Sequence, residues 1–129
     1  MPVVELAGGR LEGVEAVIDK DLAAVVLARA VDADGLVLLS DVDAVYRRWG
    51  TPRQEAILRM TAEEAREGLS AGAWPSGSMA PKVRACAEFV AGGGRFAAIG
   101  ALENAVAIVK GSSGTWFGAE SVGLPRRAA

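Results

Sequence analysis

The sequence predicts a single α/β domain in which helices cover a mostly parallel sheet. Three observations carry this expectation. Residues 35–40, Gly-Leu-Val-Leu-Leu-Ser, form a short, continuously apolar run, and Arg95-Phe96-Ala97-Ala98-Ile99 reads as another strand; the first pattern suits a parallel strand covered on both faces. Helix-patterned stretches alternate with them, the arrangement of a layered α/β fold. The chain has 129 residues, 51% of them hydrophobic, enough for one core and too few for two.

Taken in order, Val3-Val4-Glu5-Leu6 and Arg10-Leu11-Glu12-Gly13 flank Ala7-Gly8-Gly9 and read as a β-hairpin. Asp19 has the chemistry of a helix N-cap. The helix after it, residues 22–31, is apolar on nearly every side, which predicts burial between layers. Asp32-Ala33-Asp34-Gly35 ends it before the first long strand. Thr51-Pro52-Arg53-Gln54 is a turn, and Thr61-Ala62-Glu63-Glu64 is a capping box opening a helix to about residue 71. After the loop Trp74-Pro75-Ser76-Gly77-Ser78, apolar residues at 79, 83, 86, 87 and 90 mark one face of a further helix. Gly92-Gly93-Gly94 follows that helix and precedes a strand, so it is a helix stop rather than a phosphate cradle. Residues 95–99 are the second strand, 104–109 a helix, and Thr115-Trp116-Phe117 a last short strand. Residues 118–129 have no periodicity and are expected to form a loose tail, which puts the domain at 1–117.

Composition narrows the chemistry. With 14 basic and 16 acidic residues the net charge is −2, and the pI of about 5.2 argues against a nucleic-acid binder. The absence of His excludes imidazole bases, Ser-His-Asp chemistry and most catalytic zinc sites. The single Cys86 can neither pair within the chain nor build a thiolate cage, so no protein-held metal is expected and a cytoplasmic location fits. It lies on the core-facing stripe of its helix and reads as packing. The longest unbroken apolar run, residues 22–28, is far below the ~18–20 residues of a membrane span. No signal-peptide pattern opens the chain, and no Gly-x-x-x-x-Gly-Lys-[Ser/Thr] run marks a P-loop.

In open α/β sheets ligands sit at the carboxyl ends of strands, where helix N-termini offer free N–H groups. Two such places carry a lysine: Lys20 beside Asp19 and Asp21, and Lys82 in the first turn after Gly77-Ser78-Met79. A helix N-terminus disfavours a cation, so each lysine needs an anion nearby, either a neighbouring carboxylate or a bound ligand. Only three of the 14 basic residues are Lys, against 11 Arg. A compact, rotatable ammonium suits a moving phosphoryl group better than a planar fork does. Asp41-Val42-Asp43 follows the strand at 35–40 and reads either as an Asx-type turn or as a loop touching a nucleotide or hydrated magnesium. Tyr46, the one Tyr, has two uses: stacking on a base or covering the sheet edge.

Three segments together resemble carbamate kinase, of the amino acid kinase superfamily: Ala16-Val17-Ile18-Asp19-Lys20-Asp21-Leu22-Ala23, Ser40-Asp41-Val42-Asp43-Ala44-Val45-Tyr46 and Gly77-Ser78-Met79-Ala80-Pro81-Lys82-Val83. The resemblance covers residues 2–117 and only the C-terminal, nucleotide-binding half of that family. It implies a three-layer αβα sandwich and phosphoryl transfer from carbamoyl phosphate to ADP, giving ATP and carbamate. It further implies that Lys20, Asp21 and Lys82 are catalytic, with Asp21 organising the lysines. Asp41, Val42, Asp43, Tyr46, Gly77, Ser78 and Met79 would wall the nucleotide, and Mg2+ would ride on the ATP or ADP phosphates. Ser76, Ala44 and Trp116 depart from the residues common in the family, and the family's early Gly-Gly-Asn motif and further lysine have no counterpart here. The chain is therefore expected to be inactive alone and to need an N-terminal half for carbamoyl phosphate or carbamate. Pairing with a separate half or homo-oligomerisation is a further expectation. The alternatives are a nucleotide-binding module without chemistry and a truncated, self-associating structural remnant.

Overall fold

The computed structural model describes residues 2–75 and 77–118. A hairpin of β1 (Val3–Glu5) and β2 (Leu11–Gly13) precedes α1 (Lys20–Ala30) and β3 (Gly35–Ser40). A second hairpin, β4 (Val45–Arg47) and β5 (Glu55–Ile57), leads through β6 (Arg59–Met60) into α2 (Ala62–Ser70) and α3 (Met79–Ala91). Then come β7 (Phe96–Ala101), a 3-10 turn at Leu102–Asn104, α4 (Ala105–Val109) and β8 (Thr115–Phe117). The tail expected at 118–129 lies, after Gly118, outside the described residues, as does Ser76.

Local chemistry starts two of the helices. Asp19 Oδ1 accepts from the backbone N–H groups of Asp21 (2.8 Å) and Leu22 (3.2 Å), and Thr61 Oγ1 accepts from Glu64 (3.0 Å). Each cap satisfies donors that a helix start leaves open and contributes ~1 kcal/mol.

The central sheet has the order β3-β7-β8-β6. β3 runs parallel to β7, from Gly35 opposite Phe96 to Ser40 opposite Ala101. β6 is parallel to β8, and β7 is antiparallel to β8, so the sheet is mixed and mostly parallel. On one face α1 and α3 bury Val25, Val83, Cys86 and Phe89 against Leu36, Leu38, Ile99 and Phe117, with α2 packed beside α3. On the other face Ile108 of α4 covers Ala98 and Trp116, and α4 comes so close that a Cβ at Gly100 would run into the Ile108 side chain. The molecule is an αβα sandwich whose second helical layer is one short helix.

Two expectations change. α1 is not buried all round: Val25 and Ala28 face the core, while Val26 and Leu27 are about two-thirds exposed. An apolar run fixes which residues can be buried, but a helix touching neighbours along one stripe buries only that stripe. The stretch after residue 44 is also more than a turn. Val45 opposite Ile57, Tyr46 opposite Ala56 and Arg47 opposite Glu55 form an antiparallel pair around Thr51-Pro52-Arg53-Gln54, too short and too mixed in composition for periodicity to reveal.

Thr115 anchors this hairpin. Its fully buried hydroxyl accepts from the Val45 N–H at 2.8 Å and donates to the Ile57 carbonyl, tying both strands of the hairpin to β8. Thr115→Val keeps the shape and strands both backbone groups in the core. It is expected to lower unfolding free energy by ~1–3 kcal/mol, read from the midpoint of chemical denaturation; an unchanged midpoint would deny the anchor its role.

Candidate functional site

Each long parallel strand is preceded by a helix that runs back along it: α1 before β3, α3 before β7. The starts of α1 and α3 therefore meet over the carboxyl ends of the two strands, at Ser40 and Ala101. There Lys82 Nζ donates to Asp21 Oδ1 at 3.2 Å and to Oδ2 at 3.3 Å, across 61 positions of sequence. Both side chains are only 6% exposed. The anion that compensates Lys82 is thus the Asp21 carboxylate, and a pair sealed from water holds the two helix starts together. Breaking such a pair from one side leaves a buried, uncompensated charge.

Cys86, one turn beyond Lys82, is fully buried. Burial first, and then the Asp21 charge, pushes its thiol well above the ordinary range, so it stays protonated and packs as an apolar group. Lys20 is exposed at the start of α1 and has no ion pair among the described residues.

Beside this junction lies a cleft of about 310 Å³ lined by Ser40, Asp41, Val42, Ala44, Tyr46, Trp49, Gly77, Ser78 and Met79. Asp41, Val42, Tyr46, Gly77, Ser78 and Met79, six of the seven wall residues inferred from sequence, come together there although two loops supply them. The seventh, Asp43, stands behind the wall. It accepts from the Tyr46 hydroxyl at 2.8 Å, and that hydrogen bond, with some desolvation and the Asp43 charge, raises the phenol's pKa. Tyr46 packs edge-to-face with Trp49, ring centroids 5.1 Å apart. Asp41 Oδ1 accepts from the Ser40 hydroxyl (3.1 Å), whose oxygen accepts from the Val42 N–H (3.3 Å), so the Asp41 loop has local turn hydrogen bonding and also borders the cleft.

Gly77, at φ +75°, turns the chain into α3 in a conformation that L side chains rarely adopt. Ser78, at the N-cap, makes no side-chain cap hydrogen bond, in contrast to Asp19 and Thr61. The start of α3 beside the cleft therefore lacks a side-chain cap and has the polarity to receive an anion. Among the described residues no three His, Cys, Asp or Glu side chains cluster closely enough to hold a metal ion, and no helix is long and apolar enough to cross a membrane.

Neither Lys20 nor Lys82 lines the cleft itself; Lys82 is turned into its pair with Asp21. Sequence reasoning also missed Trp49. Its signal was an aromatic three residues after Tyr46, which becomes meaningful only once the chain is seen to turn back after β4.

The amino acid kinase family model matches residues 2–100. Carbamate kinase of Halobacterium salinarum is 51% identical over 115 residues, which make up 89% of this chain and 37% of that protein. Among solved structures, carbamate kinase from Giardia lamblia bound to AMP-PNP superposes with a TM-score of 0.80 at 34% identity, covering 85% of this chain and 39% of that one. A crystal structure from Aeropyrum pernix K1 gives 0.83 at 45% identity, covering 90% and 37%. The chain thus spans little more than a third of the length of the curated relatives it matches. With this fold, these motifs and these relatives, it belongs to the amino acid kinase family, where its likeness is to the carbamate kinases.

Proposed function

We propose that residues 1–117 supply the nucleotide-binding part of a carbamate kinase-type phosphotransferase, which uses carbamoyl phosphate and ADP to give ATP and carbamate. The observation that carries this reading is the juxtaposition of an aromatic-walled cleft, an α3 start with no side-chain cap and a buried Lys82–Asp21 pair at the carboxyl ends of β3 and β7. Tyr46 and Trp49 offer faces for a base, and the Gly77–Met79 turn offers backbone donors to phosphate oxygens.

Phosphoryl transfer needs positioning and positive charge around the transferring oxygens. In this reading Lys20, exposed and able to rotate, meets the moving group. Asp21 holds Lys82 at the meeting of the two helix starts, so its ammonium is aimed in advance. Mg2+ carried on the nucleotide would shield phosphate charge; Asp41, the acidic group that lines the cleft, is suited to its hydration shell rather than to a cage, while Asp43 holds the Tyr46 hydroxyl. The acceptor side lies in the part of the relatives this chain does not span. By itself the chain is expected to bind MgADP without turnover, since donor and acceptor must be held in line. A second reading, a self-associating module without nucleotide affinity, draws support from exposed Val26 and Leu27 on α1 and Leu102 and Val106 near α4.

Calorimetric titration with MgADP decides between the two. Measurable heat with a matching rise in Tm supports the nucleotide site, and absence of both favours the second reading.

The buried pair separates structure from binding. Lys82→Met is expected to destabilise the chain by ~3–5 kcal/mol, whereas Asp21→Leu together with Lys82→Met recovers most of that stability. MgADP affinity stays low in both variants; binding restored along with stability would reduce the pair to a structural strut.

In a full-length kinase carrying this segment, Lys20→Ala is expected to lower turnover at least ~100-fold with little change in Tm, because the side chain is exposed. Near-normal turnover would remove Lys20 from the reaction.

A further inference from the structure

The two walls of the cleft come from distant parts of the chain. One is supplied by residues 40–49, which include the first strand of the β4–β5 hairpin; the other is the Gly77-Ser78-Met79 turn that leads into α3. The hairpin is fixed from the sheet side by Thr115, but that contact does not reach the second wall. Trp74 does. Its indole Nε1 donates to the backbone carbonyl of Tyr46 at 3.2 Å, across 28 positions of sequence. Among the described residues this is the one hydrogen bond that joins the 74–78 segment to the hairpin.

The indole is itself held from behind. It lies over α2 at Gly68, where an added Cβ would stand only 2.6 Å from the ring. Trp74 is not on the wall of the cleft. It lines a separate depression of about 610 Å³ on the far side of the hairpin, with Arg47, Arg48, Glu64 and Glu67. Tyr46 is therefore gripped at two points: its hydroxyl by Asp43 and its carbonyl by Trp74.

We infer that Trp74 is a positioning residue that sets the spacing between Tyr46 on one wall and Gly77-Ser78-Met79 on the other. It acts through the Tyr46 carbonyl and the short backbone link to Gly77, without touching whatever occupies the cleft. This rests on the nucleotide reading above only for the identity of the occupant; the clamp itself is a property of the free chain. Three positions past Trp74 the chain adopts the positive φ of Gly77, and Met79 at the start of α3 packs against the same core cluster as Trp74, so the two sides of the clamp share one support.

Two substitutions test the clamp from opposite sides. Trp74→Phe keeps an aromatic ring and removes the N–H donor, and Gly68→Ala keeps the donor and displaces the ring. In the free chain, both are expected to raise amide hydrogen exchange at least ~5-fold at residues 45–47 and at 83–84, the first amides of α3 with partners inside the helix, while residues 36–39 and 97–99 stay protected. MgADP should then bind about 10-fold more weakly to both variants, the loss expected when one such hydrogen bond is removed.

Unchanged exchange at the two walls in both variants overturns the clamp, whatever the nucleotide does. Raised exchange spread evenly over the whole molecule also overturns it, because that is simple loss of stability. Selective loosening of the walls establishes the clamp even if the parent chain gives no heat with MgADP, in which case it is the nucleotide reading that fails.

Discussion

A carboxylate on the first turn of α1 and an ammonium on the first turn of α3 meet at 3.2 Å, nearly sealed from water. The arrangement of this end of the molecule depends on that contact. Two helix N-termini have the same partial charge and each would rather face solvent or an anion. Lys82 would add its own positive charge to these ends, and the Asp21 carboxylate compensates it, so the ammonium can be buried where two helices begin side by side. The pair is buried because α1 and α3 each precede a strand of one parallel pair, β3 and β7, which brings both starts to the same end of the sheet. Desolvation makes the pair weak evidence for stability and strong evidence for specified geometry: as a hydrophobic substitute it would pack as well, but it would not hold a cation at that point.

The cleft beside the pair is assembled by a different device. Among the described residues the β4–β5 hairpin pairs with nothing but itself in the sheet order, and a two-stranded hairpin is marginal on its own. Its position comes from side-chain hydrogen bonds, buried ones from Thr115 to Val45 and Ile57 and a half-buried one from Trp74 to Tyr46. These are polar contacts between segments far apart in sequence. They fix orientation because a buried N–H or carbonyl left unpaired is costly, whereas apolar contacts alone would tolerate a slide. A site built this way has a firm floor, the sheet and the start of α3, and walls whose spacing rests on a few directional bonds.

Much of the framework was legible because it follows from local chemistry. Asp19 and Thr61 mark helix starts by their ability to accept backbone N–H groups, and both do so. The apolar run at 35–40 and the short stretch at 95–99 mark strands, and β3 and β7 form there. The hairpin at Gly8-Gly9 follows from glycine's access to positive φ, adopted at φ +89° and +81°. That the segments around Asp41 and Gly77 share one site came from the resemblance rather than from local chemistry, and both border the cleft.

Other features could be settled only by the folded chain. Whether Lys82 faces solvent or a carboxylate depends on Asp21 arriving from 61 residues away, and no spacing rule encodes that distance. That Val26 and Leu27 stay exposed depends on which stripe of α1 finds a partner, while the run of apolar residues is the same either way. Trp49 turns toward Tyr46, and Trp74 reaches the Tyr46 carbonyl, only because strands β4 and β5 pair and are pinned by Thr115. Composition and periodicity report what each residue can do within about one turn of helix or one pair of strand neighbours. Contacts between distant segments decide which of those capacities is used.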